Sequence, residues 1–414
     1  MRFLHTADWQ LGMTRHYLSP DAQARSTEAR FEAVRALGRV AEQHGCAFVV
    51  VAGDVFETNQ VGRDVVARTC EALAEVPVPV LLLAGNHDPL DAGSVMTSER
   101  FRRLAPEHVH VLDGTPVEVA GVQVLSAPWR SKRPVEDLAA RACADLAAEP
   151  HVRRVLVAHG AVQSYGAAAP DPAVMDLAAL ERLLDDGALD LVCLGDRHST
   201  TDVGRTGRVW YAGAPEPTDH DEEDPGNVLV VDLGEPGEPG GPAAIGRHPG
   251  DAGAPARPDV VVTRVPVGRW RFRRLRMELD TDEDVDALEA LLSDLPDKSR
   301  TALKLGVVGS LSLAQKARVD VLLEHAGDLL GALQVWERRS DLVVRADAGD
   351  LDALGLSGFA LEAAEGLARR AQAPVTADLL AGGPAGERGR LPSTPDAVAA
   401  QDALSLLHRL AAAG

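Results

Sequence analysis

The sequence predicts an α/β fold followed by a smaller α+β domain, and three observations carry that prediction. From residue 1 to about 233, apolar runs of strand length alternate with amphipathic helical stretches. Each of those runs ends in a cluster of polar residues. A Gly/Pro-rich stretch, 234–258, then separates this pattern from a second, shorter one.

In chain order, Phe3–Ala7, Phe48–Ala52, Val78–Ala84, Val155–Ala158 and Leu189–Leu194 read as buried strands, being short, continuous and apolar. Ala24–His44 reads as a helix, with Phe31, Val34, Leu37 and Ala41 on one face. Val117–Leu125, broken at Ala120-Gly121, reads as a hairpin. The stretch 234–258 holds almost no large apolar groups and is expected to be a flexible excursion. Beyond it, Arg269–Leu279, Leu303–Leu311 and Leu330–Trp336 read as strands. A helix over Asp282–Leu295 follows Thr281, and another follows Ser312, whose Ser312-x-x-Gln315 is a capping-box pattern. Together these make a βαβαβ unit over 259–345. A tail, 346–414, ends in a helix over Asp396–Ala412 with Leu404, Leu407 and Leu410 on one face.

Composition narrows the function. The chain has 414 residues, enough for two or three domains of about 150 residues. Its 42 basic and 62 acidic residues leave a net charge of −20, which argues against coating nucleic acid by bulk charge but leaves room for a local basic patch. Cys46, Cys70, Cys143 and Cys193 are far apart with no C-x-x-C pair, so neither a disulfide framework nor a cysteine zinc site organises the fold. No apolar run approaches the roughly 20 residues of a membrane span, and Met1–His5 leads directly into strand-like sequence. A cytoplasmic protein without membrane attachment is expected.

The chemistry sits at strand ends: Asp8-Trp9-Gln10, Gly53-Asp54, Gly85-Asn86-His87-Asp88, His159-Gly160 and Gly195-Asp196-Arg197-His198. In an enclosed α/β sheet the carboxyl ends of strands are where sites assemble. Pooled, these clusters offer oxygen and imidazole ligands without sulfur, a set suited to manganese, iron or magnesium. One Gly-Asp after a strand is usually a turn; five clusters on successive strands are not.

These strand-end motifs resemble those of the calcineurin-like metallophosphoesterases. The fuller strings HTADWQLG, VVAGDVFE, LLAGNHDP, VAHGAV and YAGAPEPTD are more narrowly similar to the SbcD-like family of nuclease subunits. The resemblance implies a sandwich of two sheets flanked by helices over 1–233, with a smaller α+β capping and DNA-binding domain over 259–345. It further implies two divalent ions, Mn²⁺ first and Mg²⁺ second. Asp54 would bridge them, with Asp8, Gln10 and His198 completing one sphere and Asn86, His159 and Asp196 the other. His87 would act as the catalytic group beside the metals, with Asp88 orienting its imidazole. The implied activity is DNA phosphodiester cleavage, exo- or endonucleolytic, in double-strand-break or DNA-end processing. The implied partners are DNA, an SbcC-like coiled-coil ATPase and a second copy of the chain.

Two positions depart from the family pattern. Gln10 stands where the first motif usually carries histidine, and Asp196 where the last one does. A third carboxylate makes the site harder and favours Mn²⁺ or Mg²⁺ over softer ions. The alternatives are a phosphoesterase for a nucleotide or phosphoprotein, and a catalytically weak scaffold that binds DNA ends for its ATPase partner.

Six arginines, 264, 269, 271, 273, 274 and 276, precede the first acid at Glu278. Arg269, Arg271, Arg273 and Arg274 are expected to grip DNA phosphates from one strand face, with a β-bulge between Arg273 and Arg274. Arg15, Arg130, Lys132 and Arg133 would line the same groove. The Leu404/Leu407/Leu410 face is expected to dock on the partner ATPase.

Overall fold

The computed structural model describes residues 1–149, 152–163, 171–234, 260–345 and 357–371, with 396, 399–400, 402–404 and 406–407 of the tail. Leu410 and the Gly/Pro-rich excursion beyond Gly234 lie outside these. The chain divides into two compact units, Met1–His16 with Gln23–Trp270, and Arg271 onward with Tyr17–Ala22.

The first unit is built on two six-stranded sheets. One runs β12 (Val260–Pro266), β11 (Asn227–Leu233), β1 (Arg2–Thr6), β2 (Val49–Val51), β3 (Val80–Leu82) and β4 (Val109–Val111). The other runs β5 (Val117–Val119), β6 (Val122–Ala127), β7 (Arg153–His159), β8 (Leu191–Gly195), β10 (Val209–Tyr211) and β9 (Thr201–Asp202). Strands β1 to β4 are mutually parallel, as are β6, β7 and β8. Their carboxyl ends therefore lie on one side of each sheet.

Alternation along each strand sorts its side chains into layers. In and beside β2, Phe48 and Val50 join Phe3, Leu81, Val155, Val157 and Cys193 in a core shared by the two sheets. Val49 and Val51 turn the other way, onto Phe31, Val34 and Leu37 of α1 (Pro20–His44). Leu156, Val192 and Leu194 face Leu177, Leu180 and Leu184 of α2 (Leu177–Asp186). The result is helix, sheet, sheet, helix. The hairpin forms as read, with Ala120 and Gly121 both at positive φ, the backbone that a two-residue turn of the right twist requires.

β12 was not expected as a strand of this unit. It is the edge of the first sheet, antiparallel to β11, although its sequence falls in the region assigned above to the second domain. The stretch between the two strands hides the pairing from any local reading.

The second unit is the expected βαβαβ. β13 (Arg271–Leu279), β14 (Thr301–Ser312) and β15 (Ala332–Val335) are parallel, and β16 (Asp341–Arg345) adds to the far half of β14. Helices α3 (Asp282–Asp294) and α4 (Leu313–Leu329) each open on a capping box, at Thr281 and Ser312. Their apolar faces close over Leu279, Leu303, Leu305, Val307 and Leu311.

The tail corrects one expectation. Leu404 is fully buried, packed with Leu313, Val344, Ala368 and Ala371 of this same unit. An apolar side chain used in the chain's own core is not available to a partner. All four cysteines are buried thiols, and burial pushes Cys46, Cys70 and Cys143 up to about 11. Among the described residues no helix is long and apolar enough to cross a membrane.

Candidate metal centre

Strand ends from both sheets meet at one place. Asp8 and Gln10 follow β1, Asp54 follows β2, Asn86 and His87 follow β3, His159 ends β7, and Asp196 and His198 follow β8. Asp8, Asp54 and His159 are buried and present ligand atoms within 4.8 Å of one another. His159 Nε2 lies 3.4 Å from Asp54 and 3.8 Å from Asp196, and its Nδ1 lies 3.8 Å from Asp8. Asn86 Oδ1 is 2.7 Å from His159 Nε2. The Asp196 amide donates to both Asp8 oxygens, at 2.9 and 3.2 Å. On the other side Gln10 Nε2 stands 3.0 Å from His198 Nε2. Asp8, Asp54 and His159 thus form the close cluster, Asn86 and Asp196 adjoin its histidine, and Gln10 is paired with His198.

The backbone shows what holding them there costs. Asp8, Gln10, Asp54 and Asp196 all have positive φ, four of the six non-glycine residues that do so among those described. Such backbone costs roughly 1–3 kcal/mol per residue and persists only where the surroundings enforce it. Glycine makes the approach possible. A Cβ on Gly53 would stand 2.2 Å from His159 Nδ1, and one on Gly85 2.1 Å from Asp54 Oδ1.

Charge at the site is finely opposed. Burial pushes the Asp8 carboxyl up, and His159 and His198 only partly pull it back. Burial would pull His159 down, but Asp54, Asp8 and Asp196 push harder, so the ring holds its proton well above the ordinary range. Both its nitrogens then donate, Nδ1 to the Ala52 carbonyl at 2.8 Å and Nε2 to Asn86. His198 is likewise raised, burial being outweighed by Glu222 and Asp8. A proton held among carboxylates is what a metal ion displaces.

The donor set fits divalent metal. It contains only oxygen and nitrogen, and Gln10 Oε1 is buried with no hydrogen-bond partner. An acceptor left so is costly unless something at the site uses it.

His87 sits at the rim, half-buried. Its amide donates to Asp54 at 3.0 Å and its Nδ1 to the Glu57 carbonyl at 2.9 Å. That second bond, not Asp88, orients the ring. Asp88 is corrected here: its two carboxylate oxygens accept the amides of Phe56 and Gly85, at 3.0 and 2.8 Å, and it braces the loop from within. Burial, with Asp54 adding, pushes its carboxyl up to about 7.

Sequence reading missed three supporting residues. Trp129 Nε1 donates to the His159 carbonyl at 2.7 Å and sets its edge against that ring. Tyr211 donates to the Gly160 carbonyl at 2.9 Å. Glu222 lies 3.0 Å from His198 Nδ1. Nothing local marks any of the three; each acts on a residue far away in sequence, with helices or strands between. Arg15 lines a cleft of about 430 Å³ with Asp196, Arg197 and His198, its guanidinium on the Thr218 carbonyl. Arg130 is instead tied to the Asp113 carbonyl.

The arginines do not form the expected row. Arg269 precedes β13 and belongs to the first unit, where Glu216 accepts its amide and Glu32 lies 3.7 Å from its guanidinium. β13 pairs with β14 in unbroken register from Arg271 to Leu279, so no bulge intervenes. Period two then divides the guanidinium groups. Arg271 and Arg273 share a face with Leu275, Met277 and the helix-covered core, while Arg274 and Arg276 lie on the opposite face. Arg271 is within 3.8 Å of Asp297. Beside Arg274, Lys304 and Arg339 also approach the Trp336 ring, all three at 5.5–5.9 Å.

Paired sheets, polar clusters at strand ends and glycine-backed approach agree with one family in particular. Residues 1–200, just under half of the chain, match the calcineurin-like phosphoesterase family. The relatives it is similar to are narrower. The SbcD subunit of nuclease SbcCD from Escherichia coli (strain K12) is 26% identical over 261 residues, 54% of this chain and 62% of that protein. The protein of the same name from Staphylococcus epidermidis is 24% identical over 146 residues, 33% of this chain and 36% of that protein. The chain thus spans less than two thirds of the length of either relative. A solved structure, TT1561 of Thermus thermophilus, is 13% identical and covers 51% of this chain and 89% of its own; its TM-score of 0.35 is too low to carry an argument.

Proposed function

We propose that the chain is a metal-dependent DNA phosphodiesterase, the nuclease subunit of an SbcCD-like complex that processes DNA ends at double-strand breaks. The observation that carries this reading is the meeting of Asp8, Asp54 and His159 within 4.8 Å at the ends of strands from two sheets. Asp54 is assigned to both ions, Asp8, Gln10 and His198 to one, and Asn86, His159 and Asp196 to the other. When bound, two divalent ions polarise the phosphoryl group and make a water acidic enough to attack near neutral pH. Mn²⁺, with Mg²⁺ second, suits three carboxylates, two amide oxygens and two imidazoles.

The chain's own groups do the rest. Glu57 holds His87 by Nδ1, leaving Nε2 to meet charge on the phosphoryl oxygens or to protonate the leaving oxygen. Arg271, Arg273 and Arg274 are proposed to contact DNA phosphates, and Arg269 to do so from the first unit. Arg274 is the strongest of the four, because Lys304, Arg339 and the Trp336 ring stand beside it. Cations next to an indole suit a phosphate backbone with a base stacked on the ring. A coiled-coil ATPase and a second copy of the chain are the proposed protein partners.

The test is cleavage of end-labelled linear duplex and single-stranded DNA in Mn²⁺, in Mg²⁺ and in chelator, with Asp54→Asn as blank. Manganese-dependent cutting that vanishes in the blank is expected. Cutting of small phosphodiesters alone, indifferent to loss of Arg274, would replace DNA by a smaller substrate. DNA binding without cutting in any metal would favour the scaffold, the reading that the weak amide ligand Gln10 supports.

A further inference from the structure

Glu222 is not among the proposed ligands, yet its carboxylate meets the far side of one of them. It lies on the segment between β10 and β11, with a side chain only 7% exposed. Its Oε1 is 3.0 Å from His198 Nδ1, and its Oε2 accepts the Thr218 amide at 2.9 Å. The Thr218 hydroxyl also donates to Oε1. That hydroxyl has one proton, so toward His198 Nδ1, 2.7 Å away, it is an acceptor. Both oxygens facing Nδ1 thus require a proton there. In the neutral ring the lone pair is left on Nε2, which faces the Gln10 amide and the centre. Arg15 fixes the other end of the turn, donating to the Thr218 carbonyl at 2.9 and 3.2 Å.

We propose that Glu222 is a positioning residue of the metal centre: it holds His198 by Nδ1–H, sets the ring's tautomer and angle, and makes Nε2 a stronger ligand. The proposal rests on the assignment of His198 as a ligand. A carboxylate behind an imidazole raises its basicity and fixes its orientation. The effect counts here, because the same coordination sphere takes only an amide oxygen from Gln10. Thr218 presents no second charge, so among the described residues the carboxylate that meets Nδ1 is that of Glu222.

The experiment uses the full chain as wild type, Glu222→Gln, Glu222→Ala and His198→Ala. Nitrogen-detected NMR of the ¹⁵N-histidine-labelled, metal-free protein reads the His198 tautomer, its signal assigned by its absence from the alanine variant. Calorimetric titration with Mn²⁺ reads affinity and stoichiometry. Expected are Nδ1–H in the wild type, loss of one ion in His198→Ala, and a roughly 10- to 100-fold weaker ion in both Glu222 variants. Glu222→Gln keeps the size and one acceptor, so its melting temperature should stay near wild type even where Glu222→Ala loosens the turn. Full Mn²⁺ affinity in Glu222→Gln, with one ion lost in His198→Ala, would leave Glu222 a mere closure of the turn and overturn the proposal. A neutral His198 ring with Nε2–H and no Nδ1–H in the wild type would also overturn it. Unchanged Mn²⁺ binding in His198→Ala would instead remove His198 from the ligand set, and the proposal with it.

Discussion

His159 lies so close to Gly53 that a β-carbon on the glycine would stand 2.2 Å from its Nδ1, and Gly53 has a φ of +94°. The two residues come from different sheets. Their approach brings the proposed ligands of one sheet within reach of those of the other.

Gly53→Ala should therefore move the His159 ring out of the centre. Expected is at least a tenfold loss of Mn²⁺ affinity, read by calorimetry. The positive φ adds strain of roughly 1–3 kcal/mol, read as a lower urea midpoint. Normal Mn²⁺ affinity in this variant would place the ions elsewhere.

Metal binding should release protons and strengthen as pH rises. The carboxylates around His159 hold its proton well above the ordinary range against the pull of burial, and burial keeps Asp8 protonated further up than usual. Both groups must give up a proton to ligate, so between pH 6 and 8 the apparent affinity should rise about tenfold per pH unit for each proton released. Titrations in buffers of differing ionisation enthalpy count those protons. A flat affinity over this range would mean that His159 is already neutral and ready to ligate.

Asp88→Ala should cost stability before chemistry. It would strand the buried amides of Phe56 and Gly85, each costing about 1–3 kcal/mol. Equilibrium denaturation should show a loss of about 2–4 kcal/mol. Added Mn²⁺ should restore part of it, since metal binds only the folded loop. If Asp88→Ala were as stable as wild type yet inactive, Asp88 would regain a chemical role.

The α/β class, the five strands with ligands at their ends, the hairpin and both capped helices of the second unit are set by local sequence. Apolar runs, alternation, a two-residue turn and Ser/Thr caps act over a few residues, and so does a ligand placed just after a strand. The tertiary structure alone decided what depends on distant segments meeting. Asp8, Gln10, Asp54 and Asp196 take left-handed backbone that their own preferences disfavour, because packing at the crossing of two sheets imposes it. Glu222, Trp129 and Tyr211 support the histidines from positions distant in sequence, and β12 finds its partner across an interval of sequence without strand character. The arginines of β13 were legible as a count but not as a surface. The strand's unbroken register, set by its neighbour β14, divides them between its two faces.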